Sequence, residues 1–298
     1  MKTVDFSKIT GQEAFAFMLG AVAPRPIAFA STIDKDGNVN LSPFSFFNAF
    51  SVVPPILAFS PARRLRDGTS KQTLDNVIEV PEVVINMVNY SIVEQMSLSS
   101  TEYDKGVNEF IKSGLTEVKS EKVKPPRVSE SPASFECKVI DIINFGDHGG
   151  AGSMVICEVL MAHFNNDIFD AKGSIDPRKL DAVARLGGDW YSRASGDSLF
   201  EIPKPIRNKG IGIDQIPERI RNSKVLTGNN LGRLGNIEKL PDTASVIAFS
   251  QDVTLKKLME TFDGDKELLE VSLHTFAQKL LEDGALESAW KVLLYDGF

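Results

Sequence analysis

The stretch Ala23–Ser60 reads APRPIAFASTIDKDGNVNLSPFSFFNAFSVVPPILAFS, and the rest of the chain is organised around it. Two runs rich in apolar and β-branched residues, Pro26–Ile33 and Val39–Leu41, flank Asp34-Lys35-Asp36-Gly37-Asn38. Asp-Gly between such runs predicts a hairpin, because glycine takes the positive φ that a tight turn demands. Beyond the hairpin the sequence predicts a loop of Ser, Pro, Phe and Asn, then another buried strand over Ile56–Ser60. A polar loop with interleaved aromatic rings between two buried strands suits a flat ring and an anion.

On the N-terminal side, Thr10 and Glu13 form a capping-box pair. Phe15, Met18, Leu19 and Val22 follow at helical spacing, which predicts a helix from Thr10 to about Ala21. Pro24-Arg25-Pro26 ends it, since proline removes a donor and restricts the residue before it. On the C-terminal side, Pro61–Thr73 reads PARRLRDGTSKQT and leads into a helix over Lys71–Glu79, with Thr69 or Ser70 as its N-cap. The plain meaning of three arginines here is a solvated loop. The functional meaning is an anion site, because a helix start offers free N–H groups and a positive dipole.

Farther along, strands are predicted over Val83–Val88, Phe135–Asn144 and Met154–Phe164. Helices are predicted over Ile92–Ser99, Asn108–Ser113 and Lys179–Leu186. The turn Phe145-Gly146-Asp147-His148-Gly149-Gly150-Ala151-Gly152 is glycine-rich, which permits either close backbone approach to a ligand or a flexible hairpin tip. His148 in that turn is a solvated side chain on the plain reading and a substrate-side residue on the functional one. The polar segment Ser195–Asn208, with Pro203 and Pro205, marks a boundary between a domain over 1–205 and a mostly helical extension over 206–298. Within the extension, Leu255–Thr261, Lys266–Glu282 and Leu286–Leu294 read as helices and Val246–Phe249 as a short strand. Gly210–Pro217 and Gly228–Gly232 read as a pair of loops, either ligand-facing or ordinary connections.

Composition narrows the function classes. Hydrophobic residues make up 42% of the chain, enough for a substantial core, and the formal net charge of −7 argues against broad nucleic-acid binding. No apolar run of membrane-spanning length and no N-terminal signal pattern is present, so a cytoplasmic protein is expected. The two cysteines, Cys137 and Cys157, fall in β-rich runs and read as reduced core residues. The three histidines form no zinc-type spacing with them, and no metal site is expected. No dinucleotide or P-loop glycine fingerprint and no nucleophile elbow occurs. Several short strands joined by hairpins favour a mainly β, barrel-like domain with helices, since closure removes open edges.

One ordered set of residues carries more than any single motif. It comprises Pro24-Arg25-Pro26-Ile27, Asn40–Ala49, Pro54-Pro55, Ala58-Phe59-Ser60, Lys71–Asn76, Val84-Ile85-Asn86, Gly146-Asp147-His148 and Arg185-Leu186-Gly187-Gly188. In this order, over about residues 8 to 193, the chain resembles the flavin reductase-like family with the FMN-binding split-barrel fold, which includes the flavoredoxins. The resemblance implies a split β-barrel of Greek-key type, closed or partly open, followed here by the helical extension. It implies non-covalent FMN and a homodimer with flavin near the subunit interface. Ser42, Pro43, Phe44, Ser45, Asn48 and Ala49 would line the flavin. Arg25, Pro26 and Ile27 would lie beside its ring. Lys71 and Thr73 would hold its phosphate together with Ser60 and Arg63.

In such a site the ring carries electrons and the protein orients it, so no catalytic side chain is assigned and His148 is a candidate for the open face only. NADH or NADPH is the expected donor, with a second acceptor or a redox-partner protein downstream. The alternatives are a non-catalytic FMN-binding electron carrier or flavin sensor, and a haem-binding split barrel. Haem is disfavoured because the Lys71 and Thr73 site would then serve nothing and His148, His163 and His274 offer no convincing axial ligand. Three roles are open to the extension: covering the flavin, enlarging a dimer interface, or docking an electron partner.

Overall fold

The computed structural model describes residues 1–205, 209–262 and 264–295. Its chain divides into two compact units, Met1–Phe200 and Glu201–Phe298.

The first unit opens with α1 (Gly11–Ala21), started by a reciprocal cap. The Thr10 hydroxyl accepts the Glu13 N–H at 3.2 Å, and the Glu13 carboxylate accepts the Thr10 N–H at 2.9 Å. The hairpin of β1 (Ala28–Ile33) and β2 (Val39–Phe44) follows. Its turn is built by Asp34, whose carboxylate accepts the N–H of Asp36 at 3.0 Å and of Asn38 at 2.9 Å, while Gly37 supplies φ +87°.

The polar aromatic loop expected after Leu41 is mostly strand. β2 runs on to Phe44, and after Ser45-Phe46 the chain pairs again as β3 (Phe47–Val52) and β4 (Pro55–Phe59). Ladder pairing of Pro43 with Phe29 and of Phe44 with Ala28 outweighs the turn-forming composition. Pro43 is tolerated because β2 is a terminal strand of the sheet, where a missing N–H need not break a ladder.

Then come α2 (Gln72–Glu79), β5 (Glu82–Asn86), α3 (Val93–Ser99), α4 (Glu109–Ser113), and the two-residue strands β6 (Glu117–Val118) and β7 (Arg127–Val128). β8 (Ala133–Asn144) and β9 (Ser153–Phe164) are the long strands. The main sheet has seven antiparallel strands in the order β2-β1-β5-β8-β9-β4-β3. One side of it packs Ala28, Phe44, Phe59, Val83, Val155 and both cysteines against Leu74 and Val77 of α2. A second cluster joins Ile27, Phe29 and Leu41 to Met96 of α3 and Phe110 of α4. Both cysteines are free and buried. Burial pushes the Cys137 thiol far up and the Cys157 thiol up to about 12, so neither is a thiolate at neutral pH.

Two further expectations need correction. Lys179–Leu186 is not one helix. α5 (Pro177–Leu180) stops at Asp181 with φ +49°, and β10 (Val183–Arg185) pairs with β11 (Tyr191–Arg193). Leu180, Val183 and Leu186 imitate helical spacing, but the Arg185 backbone is claimed by Arg25, with N···O distances of 3.0 and 2.9 Å. Val246–Phe249 lies in a helix, not a strand. Asp242 caps that helix by accepting the Ser245 N–H at 2.7 Å, and the cap prevails over the β-branched Val246-Ile247 pair.

The second unit is helical: α6 (Glu218–Arg221), α7 (Gly228–Leu234), α8 (Thr243–Phe249), α9 (Val253–Thr261), α10 (Lys266–Glu282) and α11 (Leu286–Leu294). Its own core is centred on Trp290, Leu234, Leu255 and Leu281, and the Trp290 indole N–H donates to the Leu234 carbonyl at 3.1 Å. The Ile211 N–H donates to the Ile237 carbonyl at 2.7 Å and the Gly212 N–H to the Gly235 carbonyl at 3.0 Å, while Gly228–Gly232 opens α7. No helix among the described residues is long and apolar enough to cross a membrane.

Candidate functional site

The β2–β3 turn is held from below by Arg25. Its guanidinium donates to Ser45 Oγ at 3.3 Å, to the Leu19 carbonyl at 2.7 Å, to the Leu186 carbonyl at 2.9 Å and to the Val22 carbonyl. Arg25 is thus a buried clamp that joins the end of α1, the turn and the Arg185–Gly188 segment. Burial, with Arg185 nearby, lowers its pKa. Pro26 is half-buried and the Ile27 side chain lies in the core. Phe44 likewise points into the core, its ring 5.4 Å from that of Phe59. Ser42, Pro43 and Ser45 are half-buried, whereas Asn48 and Ala49 are exposed on β3. Ser42, Ser45 and Asn48 are therefore open to a ligand along this stretch, and the phenyl ring of Phe44 is not.

From this turn a continuous belt leads to the arginine loop. The Ser60 N–H donates to the Phe46 carbonyl at 2.8 Å, and the next residues pair with the glycine-rich turn. Arg63 donates its N–H to the Ala151 carbonyl at 2.9 Å and accepts the Gly150 N–H at 3.1 Å. A Cβ on Gly149 would meet the Leu65 carbonyl oxygen at 2.7 Å, and one on Gly152 would meet Ser60 Oγ at 2.7 Å. The glycines of the 145–152 turn thus let the backbone close on the arginine loop of the same chain. They are packed against that loop and are not a loose tip. His148 stays exposed, 4.0 Å from Asp147.

The cations of the belt converge. Arg64 Nε lies 2.9 Å and Lys71 Nζ 3.3 Å from Glu102 Oε1, and Arg66 Nη2 lies 3.2 Å from Glu102 Oε2. Hydrogen bonds from Arg64, then from Lys71, hold the Glu102 carboxyl below its usual range. Lys71 takes the N-cap position of α2 and no side chain caps it; Ser70 donates to Asp75 at 2.7 Å, and Thr69 to Asp67 at 2.5 Å. The N–H groups at the start of α2 are therefore left without a side-chain cap and can take an outside acceptor. Arg63 Nε and Gln72 Nε2 are buried without a hydrogen-bond partner. The Thr73 hydroxyl points the other way: it donates to Asn40 Oδ1 at 2.7 Å, while Asn40 Nδ2 donates to the buried Glu109 carboxylate at 3.0 Å. Glu109 also accepts the Leu41 N–H at 2.9 Å, and burial raises its pKa. This network fixes the start of α2 on β2.

Comparison with known proteins now decides the family. The sequence signature described as the flavin reductase like domain matches residues 19–179. The chain belongs to the flavin reductase-like family. A relative from Aquifex aeolicus is 38% identical over 192 residues, covering 64% of this chain and 95% of its own. Another from Halalkalibacterium halodurans is 38% identical over 199 residues, covering 66% and 93%. Among solved structures, nitrilotriacetate monooxygenase component B from Bacillus cereus superposes with a TM-score of 0.63 at 27% identity, over 68% of this chain and 98% of that one. The 2-nitrobenzoate 2-nitroreductase of Pseudomonas fluorescens gives 0.60 at 28% identity, over 68% and 96%. The first unit is thus a mainly β split barrel with helices, a fold shared with flavoredoxin of Desulfovibrio vulgaris at a TM-score of 0.52 and 22% identity.

A flavin phosphate fits the donors present. An uncapped helix start and the orphaned Arg63 Nε and Gln72 Nε2 suit an anion, beside the Arg64 and Lys71 cations that Glu102 pairs. Sequence reasoning missed Arg64 and Arg66 as partners of Lys71, gave Gln72 no site role although it lies in the Lys71–Asn76 motif, and missed Glu102 altogether. An arginine-rich loop hinted at the first two, but no local spacing joins Glu102 to Lys71.

Proposed function

We propose that this flavin reductase-like protein binds FMN non-covalently and passes electrons from NADH or NADPH to a second acceptor. The observation that carries the FMN reading is the cationic, uncapped start of α2, set by the Arg63–Lys71 loop beside the β2–β3 turn. Bound flavin would supply the two-electron chemistry. The chain supplies binding and orientation. Lys71, Arg63 and the N–H groups of Gln72 and Thr73 are the proposed phosphate ligands. Ser42, Ser45, Asn48 and Ser60 are the proposed polar contacts along the turn, with Pro26, Pro43 and Ala49 flanking them. Arg25 orients Ser45, and the Glu109–Asn40–Thr73 chain holds the phosphate end in register with that wall.

The test is NADH and NADPH oxidation by the full chain with and without FMN. FMN-dependent turnover with either nucleotide supports the reading, whereas FMN binding without turnover supports an electron carrier or sensor. We further propose a homodimer, in keeping with the exposed Phe50, Val52 and Val53 on the edge strand β3 and the loop after it. Light scattering should give twice the chain mass, and Val53→Asp should shift it towards the monomer. A cytoplasmic protein working with a redox partner completes the proposal.

A further inference from the structure

Glu102 is the one carboxylate that Arg64, Arg66 and Lys71 share among the described residues, at 2.9, 3.2 and 3.3 Å. It stands in the connection between α3 and α4, 31 residues beyond Lys71. Its side chain is 39% exposed, so rotation about its own bonds frees it without moving the fold. The same cations border the uncapped start of α2 and the buried, unpartnered Arg63 Nε and Gln72 Nε2. One set of donors therefore faces two anions, the carboxylate of the chain and the phosphate of the proposed cofactor. The charges are unequal. Three cations, Arg64, Arg66 and Lys71, face two carboxylates, Asp67 and Glu102, so the cluster keeps a positive excess that suits an anion.

We infer that Glu102 is an internal competitor for the FMN phosphate, which takes back the Arg64, Arg66 and Lys71 cations as the phosphate leaves and so makes FMN an exchangeable ligand. The inference rests on the phosphate site of the proposed function. Binding of the phosphate exchanges three carboxylate contacts for phosphate contacts, so part of the attraction is offset by the ion pairs given up. Release runs the other way, with Glu102 neutralising the cations that would otherwise be left facing one another. A ligand without a phosphate, such as riboflavin, leaves the Glu102 contacts in place.

Flavin fluorescence titration of the full chain, wild type and Glu102→Gln, with FMN and with riboflavin, tests this. The expected result is that wild type prefers FMN over riboflavin. Glu102→Gln should then bind FMN about tenfold tighter and release it more slowly, with riboflavin affinity changed less than about twofold, as suits loss of partly exposed ion pairs. If wild type prefers FMN but Glu102→Gln binds it no tighter, or more weakly, Glu102 is a scaffold for the cations. The competition is then overturned while the phosphate site stands. If wild type binds FMN and riboflavin equally, the phosphate site itself is overturned and the competition falls with it.

Discussion

Lys71 combines two properties that a phosphate ligand needs: a half-exposed ammonium and a place at the uncapped start of α2. Lys71→Ala should weaken FMN binding about tenfold, measured by fluorescence quenching, and leave riboflavin binding alone. The melting temperature should hardly move, because a partly exposed ion pair adds little to stability. Asn40→Ala should act oppositely. It strips a buried donor from Glu109 and an acceptor from Thr73, and should cost about 1–3 kcal/mol in urea unfolding. The place of Lys71 at a helix start was legible in the sequence, while its proposed phosphate role came only with the family resemblance. The direction of Thr73 was not legible, since its hydroxyl is captured by Asn40, 33 residues earlier. Ile27 and Phe44 were legible as members of the family pattern, but Ile27 is buried in the cluster of Phe29 and Leu41 and Phe44 against Phe59, contacts that only the tertiary fold fixes.

At the level of elements, the glycine-rich turn and the arginine loop form one unit. Gly149→Ala would press a Cβ to 2.7 Å from the Leu65 carbonyl oxygen, and backbone on both sides has little room to yield. That variant should lose about 1–3 kcal/mol of stability and bind FMN more weakly, since the loop carrying Arg63 and Arg64 must shift. Thermal melting and FMN titration together check it. The hairpin at Asp34–Asn38, β8, β9 and the helices α10 and α11 were all legible, because turn chemistry and long periodic runs are local signals. The β2–β3 segment read as loop because Ser, Pro and Asn mask strand pairing at a sheet edge. Residues 179–186 read as helix because a three-residue apolar repeat does not distinguish α5 and β10 from one continuous helix.

Over the whole molecule, the two units have separate cores. In the helical unit His274 is buried, its Nδ1 2.7 Å from Ser223 Oγ, and that oxygen accepts the N–H groups of Val225 and Leu226. Ser223 therefore donates to Nδ1 and the imidazole is neutral. Burial pushes its pKa below 6.5; Glu270, 3.9 Å from Nε2, opposes that shift, and Arg219 reinforces it. Between the lowered value and 6.5 the unfolded chain binds more protons, so stability is present above about pH 6.5 and is lost as pH falls through the lowered value. His274→Gln should flatten that part of the pH profile of thermal unfolding, and an unchanged profile would contradict the assignment. The central claim concerns the other unit, that a flavin reductase-like barrel holds FMN where NADH or NADPH can reduce it. The most direct measurement is the anaerobic absorption spectrum of the full chain with FMN, before and after each nucleotide. The expected result is a protein-bound flavin spectrum that bleaches with at least one of them. A protein that stays colourless and binds no added FMN, or a bound flavin that neither nucleotide reduces, would contradict it.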